Sequence, residues 1–381
     1  MNKLQTKLPQ VETSIFAVMS NMAAEHDAIN LSQGFPDFPV SEELISLVHE
    51  NMKKGHNQYA PMPGLPKLRN VIADVIKKTY NKEVSPDTEI TITSGATEAL
   101  FASITAIIDK GDEAIIFDPA YDSYAPAVHL AGGKTRHINL KAPDYTVDWE
   151  EVTRHINDNT KLIIINSPHN PTGAVLNKED MLALQKIVVE NELFLISDEV
   201  YERIIFDGVR HESVLHYPEL AARSIAIFSF GKTFHATGWK TGYAVAPANI
   251  SKEIRKIHQY LTFSVSTPMQ HAIATYMENE SNYLSLGTFY EQKRNFFIEK
   301  LTGSRFKILP CFGTYYQLLS YEEISDKSEF EMAEHITKTH GVASIPTSSF
   351  YKDDVNNRVL RFCFAKSENT ITKAAEILCK I

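Results

Sequence analysis

Short apolar runs alternate along the chain with segments of helical periodicity. Continuous apolar runs of this length are typical of strands buried on both faces. The runs lie at 89–94, 114–117, 161–166, 193–198, 225–230 and 243–246. The helical segments between them lie at 96–108, 122–130 and 178–192. This alternation predicts an α/β fold, with a mostly parallel sheet sandwiched between helices.

Residues that typically begin and end helices, and a change in the apolar pattern near residue 250, predict the domains. Ser41 precedes two glutamates and Gly55 follows two lysines, so a helix is expected between them. After about residue 250, long helical patterns lead into shorter strand-like elements. We therefore expect an N-terminal arm that joins the small domain (1–41), a large domain (42–275) and a smaller α+β domain (276–381).

The composition excludes several classes of protein. The 381-residue chain has a net charge of −9, which argues against nucleic-acid or anionic-membrane partners. It shows neither a membrane-length apolar run nor a signal peptide at the N-terminus. Its three cysteines lack CxxC spacing and its histidines lack HExxH spacing. These patterns favour a cytoplasmic protein without a metal site.

Three strand ends carry polar clusters, and in parallel sheets such ends face the ligand. Ser94-Gly-Ala-Thr-Glu98 is either a phosphate seat at a helix start or an ordinary helix cap. Asn170, in a Pro- and Gly-rich turn, is either a ligand donor or a turn residue. Asp198 is either a buried carboxylate with a charged partner or a helix cap. Tyr201 can face the same site.

A fourth strand, 225–230, ends in Ser229-Phe-Gly-Lys232-Thr233. The Gly-Lys-Thr sequence suggests a nucleotide-binding P-loop, but that motif needs glycine where Ala226 stands. A phosphate seat, a buried carboxylate, a tyrosine and a lysine are together what pyridoxal 5'-phosphate requires. The sequence therefore predicts that cofactor rather than a nucleotide.

Over nearly its whole length the chain also resembles the fold-type-I, class I/II aminotransferases. Within them it is similar to the kynurenine/glutamine group and to bacterial methionine aminotransferases. The resemblance is carried by the motifs Leu31-Ser-Gln-Gly-Phe-Pro-Asp-Phe38, Asn57-Gln-Tyr-Ala-Pro61, Gly95-Ala-Thr-Glu-Ala-Leu100, Asp118-Pro-Ala-Tyr-Asp-Ser-Tyr124, Asn170-Pro-Thr-Gly173, Ser197-Asp-Glu-Val-Tyr201, Ser229-Phe-Gly-Lys-Thr233, Thr237-Gly-Trp-Lys240 and Arg361-Phe-Cys-Phe-Ala365.

The resemblance implies cofactor-binding roles. The catalytic residues that it implies are Lys232, Asp198 and Tyr201. Lys232 would form the Schiff base with the cofactor and then act as general base and general acid. Asp198 would pair with the pyridine nitrogen, while Asn170 and Tyr201 would bind the phenolic oxygen. Tyr121 would stack on the face of the ring; the alternative is a plain core tyrosine. The residues that would bind the cofactor phosphate are Gly95, Ala96, Thr97, Ser229, Lys240 and, from the second subunit of a homodimer, Tyr59.

A second set of residues concerns the substrate. Arg361 interrupts an apolar strand, where an unpaired arginine is costly and calls for a carboxylate partner. By resemblance this partner is the α-carboxylate of the substrate, with Gly34, Asn170 and Phe16 beside it. The implied reaction is ping-pong transamination between an amino acid and a 2-oxo acid.

The chain departs from the kynurenine-using relatives at three places. Ile15-Phe16 replaces their tryptophan, Thr97 replaces a tyrosine, and Phe263–Pro268 lacks their aromatic-plus-histidine pair. These differences favour a flexible apolar substrate such as methionine, or another large neutral or aromatic amino acid. The alternatives are kynurenine transamination, cysteine-S-conjugate β-lyase activity and a non-catalytic ligand-binding role on the same fold.

Overall fold

The computed structural model of the protein describes residues 4–9 and 11–381. In chain order its strands are β1 (Ile29–Asn30), β2 (Ile90–Thr93), β3 (Glu113–Asp118), β4 (Lys134–Asn139), β5 (Thr160–Asn166), β6 (Phe194–Asp198), β7 (Ser224–Ser229), β8 (Gly242–Val245), β9 (Lys307–Ile308), β10 (Tyr316–Ser320), β11 (Val342–Ala343), β12 (Ile345–Pro346) and β13 (Val359–Cys363).

The helices, in the same order, are α1 (Ile15–Glu25), α2 (Glu42–Lys53), α3 (Pro66–Tyr80), α4 (Gly95–Ile107), α5 (Tyr124–Leu130), α6 (Trp149–His155), α7 (Lys178–Glu190), α8 (Pro218–Ala221), α9 (Phe230–Thr233), α10 (Ala248–Leu261), α11 (Thr267–Tyr276), α12 (Ser281–Leu284), α13 (Leu286–Lys300), α14 (Glu329–His335) and α15 (Glu368–Leu378). Short 3₁₀ segments lie at Val214–His216, Thr237–Trp239 and Thr347–Phe350, and a π-helical turn lies at Ile336–His340. Among these helices none combines the length and apolar character needed to cross a membrane.

The large sheet has the strand order β2-β8-β7-β6-β5-β3-β4 in the described part of the chain. Only β8 runs against the others, so the predicted α/β fold with a mostly parallel sheet is confirmed. Because β5 and β6 pair in parallel register, Asn166 lies beside Asp198 at their carboxyl ends. The antiparallel pairing of β7 and β8 places Ser229 beside Gly242.

Both faces of this sheet are covered, as the continuous apolar runs predict. Every residue of β3 is buried. Ile115 and Ile163 belong to a core that also contains aliphatic side chains of the flanking helices, among them Leu68 of α3 and Leu184 of α7. Ile116 belongs to a second core on the side of α4 and α10. Alternate strand residues therefore fill two cores, which requires helices on both sides of the sheet.

A second structural layer combines both ends of the chain. Strands β12, β13, β10 and β9 form an antiparallel sheet. The N-terminal segment joins this region because β1 pairs in parallel with β11, with Ile29 opposite Val342. Met19 of α1 shares a core with Phe362 of β13. The domain limits at residues 41 and 275 stay a prediction.

Several elements were not predicted, β4 and α6 among them, and the strand boundary next to Lys232 was displaced. The strand β4 is an edge strand in which only Ile138 is buried, so it lacks the apolar signature of its neighbours. The helix α6 has only Val152 buried. The strand predicted at 225–230 ends at Ser229, and Phe230 begins the helical turn α9 that carries Lys232.

Candidate active site

The four polar strand ends converge on one cavity of about 250 Å³ at the carboxyl edge of the large sheet. It is lined by most of the predicted site residues, namely Phe16, Gly34, Gly95, Ala96, Thr97, Tyr121, Asn170, Asp198, Tyr201, Ser229, Lys232 and Lys240. The topology explains this convergence, since β2, β5, β6 and β7 all end at this edge.

One end of the cavity has the properties of an anion site. Helix α4 begins at Gly95, and the Ser94 side chain makes no capping hydrogen bond there. The first N–H groups of a helix have no partner within it and are available to a ligand. The Lys240 ammonium donates to Thr97 Oγ1 over 3.2 Å, at the same helix start. A Cβ atom at Gly242 would lie only 2.9 Å from Ala96 N, so this backbone approach requires glycine.

The Asp198 carboxylate lies deep in the cavity, with only 4% of the residue exposed. Its Oδ2 accepts a 2.6 Å hydrogen bond from the Tyr124 hydroxyl. Burial raises the pKa of Asp198 to about 6, and the Tyr124 hydrogen bond opposes that rise. The Val200 N–H contact with Oδ1 is long, at 3.4 Å, so a helix-cap role is minor. A cationic ligand group bound next to this buried carboxylate would therefore stabilise its ionised form.

A turn after β5 links the surroundings of Asp198 to those of Arg361. Asn166 Nδ2 donates to the Asp198 carbonyl over 2.8 Å. Asn166 Oδ1 accepts from the Asn170 N–H over 2.7 Å. The Asn170 side-chain oxygen in turn accepts from Arg361 Nη1 over 2.8 Å. Asn170 lines the cavity, and its amide NH₂ makes no hydrogen bond to the described residues, so it is available to donate to a ligand oxygen.

Lys232 lines the cavity with its amine among aromatic side chains. Its Nζ donates to the Tyr315 hydroxyl over 2.7 Å. It also lies 5.4 Å from the centre of the Tyr201 ring. Burial lowers the pKa of Lys232 to about 8, because water is replaced by apolar surroundings. A lysine with this pKa is partly a neutral amine, and therefore nucleophilic, near neutral pH.

Arg361 is fully buried behind the cavity wall and forms no salt bridge in the described part of the chain, although its charge opposes the rise that burial causes in the pKa of Asp122. Besides the Asn170 contact, its Nη2 donates to the Ser32 carbonyl over 3.0 Å. Its guanidinium lies 3.9 Å from the centre of the Tyr316 ring, and its Nε is buried without a partner among the described residues. A buried cation that forms no salt bridge matches the predicted carboxylate-binding role.

The segment that contains Gly34 is braced by two tyrosines. The Tyr315 hydroxyl donates to the Gly34 carbonyl over 2.6 Å. A Cβ atom at position 34 would collide with the Tyr316 hydroxyl, so a larger residue does not fit. Gln33 Nε2 donates to the Phe16 carbonyl over 3.2 Å, which ties helix α1 to the same segment. Phe16 thereby lines the cavity.

One predicted residue lies outside this cavity. Tyr59 is 83% exposed on the surface, with its ring 5.4 Å from that of Phe263. Within one chain it does not reach the site. Its predicted contribution to the site of a second subunit stays a prediction.

Three tyrosines of the site were missed by the sequence reasoning. Tyr124 stands three residues after Tyr121 at the start of α5, a spacing that offered a signal. Tyr315 and Tyr316 are consecutive, and strand alternation would send them to opposite faces. Both reach the site because Tyr315 precedes β10 and Thr314 before it has a left-handed backbone (φ 69°).

Comparison with known proteins relates this arrangement to a family. The model of the family "Aminotransferase class I and II" matches residues 26–378. The methionine aminotransferase of Escherichia coli K12 is 49% identical over 98% of this chain and 97% of its own length. The kynurenine–oxoglutarate transaminase of Dictyostelium discoideum is 34% identical over 97% of this chain and 94% of its own.

The fold is shared as well. A crystal structure of an Escherichia coli protein, described as identifying a methionine aminotransferase function, superimposes with a TM-score of 0.98. It has 48% identity and covers 100% of both chains. The predicted fold type and the resemblance to both aminotransferase groups are therefore confirmed.

Proposed function

The chain belongs to the aminotransferases of class I and II, and from this membership we propose that it uses pyridoxal 5'-phosphate to transfer the amino group of methionine to a 2-oxo acid. The observation that carries the proposal is the convergence in one cavity of a lysine amine, a buried carboxylate and an anion site. These groups match the aldehyde, the ring nitrogen and the phosphate of that single cofactor.

The donor set fits the cofactor group by group. Ala96, Thr97, Ser229 and Lys240 would hold the phosphate at the start of helix α4. Asp198 would bind the ring nitrogen and keep it protonated. Asn170 and Tyr201 would donate to the phenolic oxygen, and Tyr121 would cover one face of the ring. When bound, the cofactor supplies an electron sink that makes the Cα–H bond of an amino acid acidic.

Lys232 would first hold the cofactor and then move the proton at its own Nζ. A pKa near 8 suits this work, because the amine accepts and returns a proton near neutral pH without a large energetic cost. Two aromatic rings, those of Tyr201 and Tyr315, lie 5.4 Å and 5.2 Å from the amine and would shield that side of it from water.

Arg361 would bind the α-carboxylate of the substrate, with the Gly34 backbone beside it. With the carboxylate fixed there, the substrate side chain would lie in the cavity whose lining includes Phe16, Leu100 and Val200. Those residues are apolar, which suits a thioether side chain better than a second carboxylate. The E. coli methionine aminotransferase relative supports this choice.

We also propose a homodimer in the cytoplasm. Tyr59 on a loop, Tyr260 and Leu261 at the end of α10, and Phe263 just after that helix are exposed residues with large apolar surfaces. The two segments are joined by the hydrogen bond from Ser264 Oγ to the Ala60 carbonyl. Aromatic residues exposed together are typical of an interface, here with a second copy whose site Tyr59 would complete. All three cysteines are free, which supports a reducing compartment.

A panel of amino donors with one fixed 2-oxo acid tests the proposal. We expect methionine to give the highest kcat/KM, kynurenine a much lower one, and Lys232→Ala to abolish turnover. Release of pyruvate and ammonia from a cysteine conjugate without any oxo acid would instead indicate a β-lyase. Ligand binding without turnover in the wild type would indicate a non-catalytic protein.

A further inference from the structure

The hydroxyl of Tyr315 connects the Lys232 amine to the substrate-binding segment. Tyr315 is fully buried, and its oxygen lies 2.7 Å from Lys232 Nζ and 2.6 Å from the Gly34 carbonyl. A carbonyl can only accept a hydrogen bond, so the single Tyr315 proton is committed to Gly34. The same oxygen can then only accept from the lysine.

This fixes the direction of the contact at the amine. Lys232 must direct one N–H toward Tyr315, whether it is charged or neutral. In the neutral amine, the lone pair then points away from Tyr315. Among the described residues Nζ has no other hydrogen-bond partner, so this single contact defines its orientation.

On this basis we propose that Tyr315 is a positioning residue, which holds the Lys232 amine in one orientation while that amine gives and receives the proton. The inference rests on the proposed function for its catalytic meaning. The hydrogen bonds from Lys232 Nζ to the Tyr315 hydroxyl, and from that hydroxyl to the Gly34 carbonyl, do not depend on which reaction the protein catalyses.

Neighbouring groups also act on the amine and must be held constant. The negative charge of Asp198 favours the charged form of the Lys232 amine, whereas the positive charges of Arg361 and Lys240 disfavour that form. The other ionisable groups near the Lys232 amine are the Cys363 thiol, on the same strand as Arg361, and the hydroxyl groups of Tyr201 and Tyr315. None of these is changed in Tyr315→Phe except the Tyr315 hydroxyl itself, which makes this variant a specific probe.

Tyr290→Phe is the matched control. Tyr290 is also fully buried and its ring centre lies 5.6 Å from that of Tyr315. Its hydroxyl, however, pairs with His235 Nδ1 over 2.9 Å and not with the lysine. Both variants lose one buried hydroxyl, but only Tyr315→Phe removes the acceptor from Nζ.

The first readout is the pH dependence of Lys232 acetylation in the full-length, cofactor-free protein, measured by competitive labelling with acetic anhydride and peptide mass spectrometry. Removal of an acceptor from a buried ammonium disfavours the charged form, so Tyr315→Phe should lower the pKa of Lys232 by about one unit. Tyr290→Phe should leave it in place. An unchanged Lys232 pKa in Tyr315→Phe, or an equal shift in both variants, overturns the proposal.

The second readout is the kinetics of the cofactor-loaded enzyme with methionine. A loosened amine should lower kcat about tenfold in Tyr315→Phe, on the scale of one lost hydrogen bond, with KM nearly unchanged. A raised KM with an unchanged kcat would mean that Tyr315 serves only to hold the Gly34 segment, which also overturns the proposal. Absence of transamination in the wild type would refute the proposed function while the labelling result still decides the anchoring.

If Tyr315→Phe does not fold, the wild-type protein answers the question. Crystal structures of the cofactor-free protein at pH 7 and pH 9 should both show Nζ within hydrogen-bond distance of the Tyr315 oxygen. A lysine directed at Asp198 instead would contradict the proposal.

Discussion

The hydrogen bond from Tyr124 to Asp198 offers a quantitative test of how the site holds its carboxylate. Burial raises the pKa of Asp198 to about 6, and the 2.6 Å hydrogen bond from Tyr124 limits that rise. A hydrogen bond to a charged group contributes about 1.5–3 kcal/mol, which corresponds to roughly one to two pKa units. Tyr124→Phe should therefore raise the pKa of Asp198 to roughly 7–8 in the cofactor-free protein.

The consequence appears in cofactor affinity. Only the ionised carboxylate attracts a protonated ring nitrogen, so affinity for pyridoxal 5'-phosphate should fall as the pH drops through the pKa of Asp198. In Tyr124→Phe this fall should begin about one to two pH units higher than in the wild type. The assay is an absorption titration of the cofactor into cofactor-free protein between pH 5.5 and pH 9. Ionisations of the cofactor itself are common to all variants and cancel in the difference.

The sign of the stability effect provides a second check. The folded-state pKa of Asp198 lies above its usual value of 3.8, so the folded protein binds this proton more tightly than the unfolded chain does. The group therefore contributes increasing stability as the pH falls from above 6 toward 4. In Tyr124→Phe this gain should begin at higher pH, as seen in the melting temperature of the cofactor-free protein.

The control is Tyr321→Phe, which removes another buried hydroxyl. The Tyr321 hydroxyl donates to the Lys327 carbonyl over 2.9 Å, and its ring belongs to the core formed by the ends of the chain. An affinity profile that moves equally in both variants, or in neither, would refute the assignment of Tyr124 as the group that keeps Asp198 ionised.

Three further predictions concern the other parts of the site. Arg361→Met should raise KM for methionine roughly 100-fold while the cofactor still binds. Arg361→Lys should not restore the wild-type KM, because one ammonium cannot make the bidentate contact. Steady-state kinetics measures KM, and the absorption of the bound cofactor shows whether it still binds. Lys240→Met should weaken cofactor binding about tenfold, measured by titration, whereas Lys256→Met, which breaks only an exposed ion pair with Glu253, should not. Phe263→Glu should convert a dimer to a monomer in sedimentation velocity, and an unchanged sedimentation coefficient would place the interface elsewhere.

The large sheet was predictable because its strands are buried on both faces. The continuous apolar runs of β5, β6 and β7 leave little ambiguity about strand and helix order. The edge strand β4 escaped because its side chains are mostly half-buried or exposed, so no apolar run marks it. The antiparallel direction of β8 is fixed by its pairing with the preceding strand β7 on one side and with the distant strand β2 on the other, and the apolar pattern of β8 does not encode a direction.

The cavity residues were predictable where a motif places them at a strand end. Asp198 is the last residue of the apolar strand β6, and Lys232 lies in the helical turn that follows the apolar strand β7, so both stand at the same edge of the sheet. Tyr315 was not predictable in this way, because it reaches Lys232 across 83 residues of sequence through the packing of a different region. Contacts of this kind depend on the relative placement of two sheets, which is a tertiary property rather than a local one.

The measurement that tests the central claim most directly follows the nitrogen atom itself. Methionine labelled with ¹⁵N at the amino group is incubated with a 2-oxo acid, pyridoxal 5'-phosphate and either wild-type protein or Lys232→Ala, and the products are identified by mass spectrometry. We predict that the wild type moves the label into the amino acid derived from the 2-oxo acid, leaving the 2-oxo acid of methionine, while Lys232→Ala does neither. Label recovered as free ammonia, or equal transfer by Lys232→Ala, would contradict the proposed transamination at Lys232.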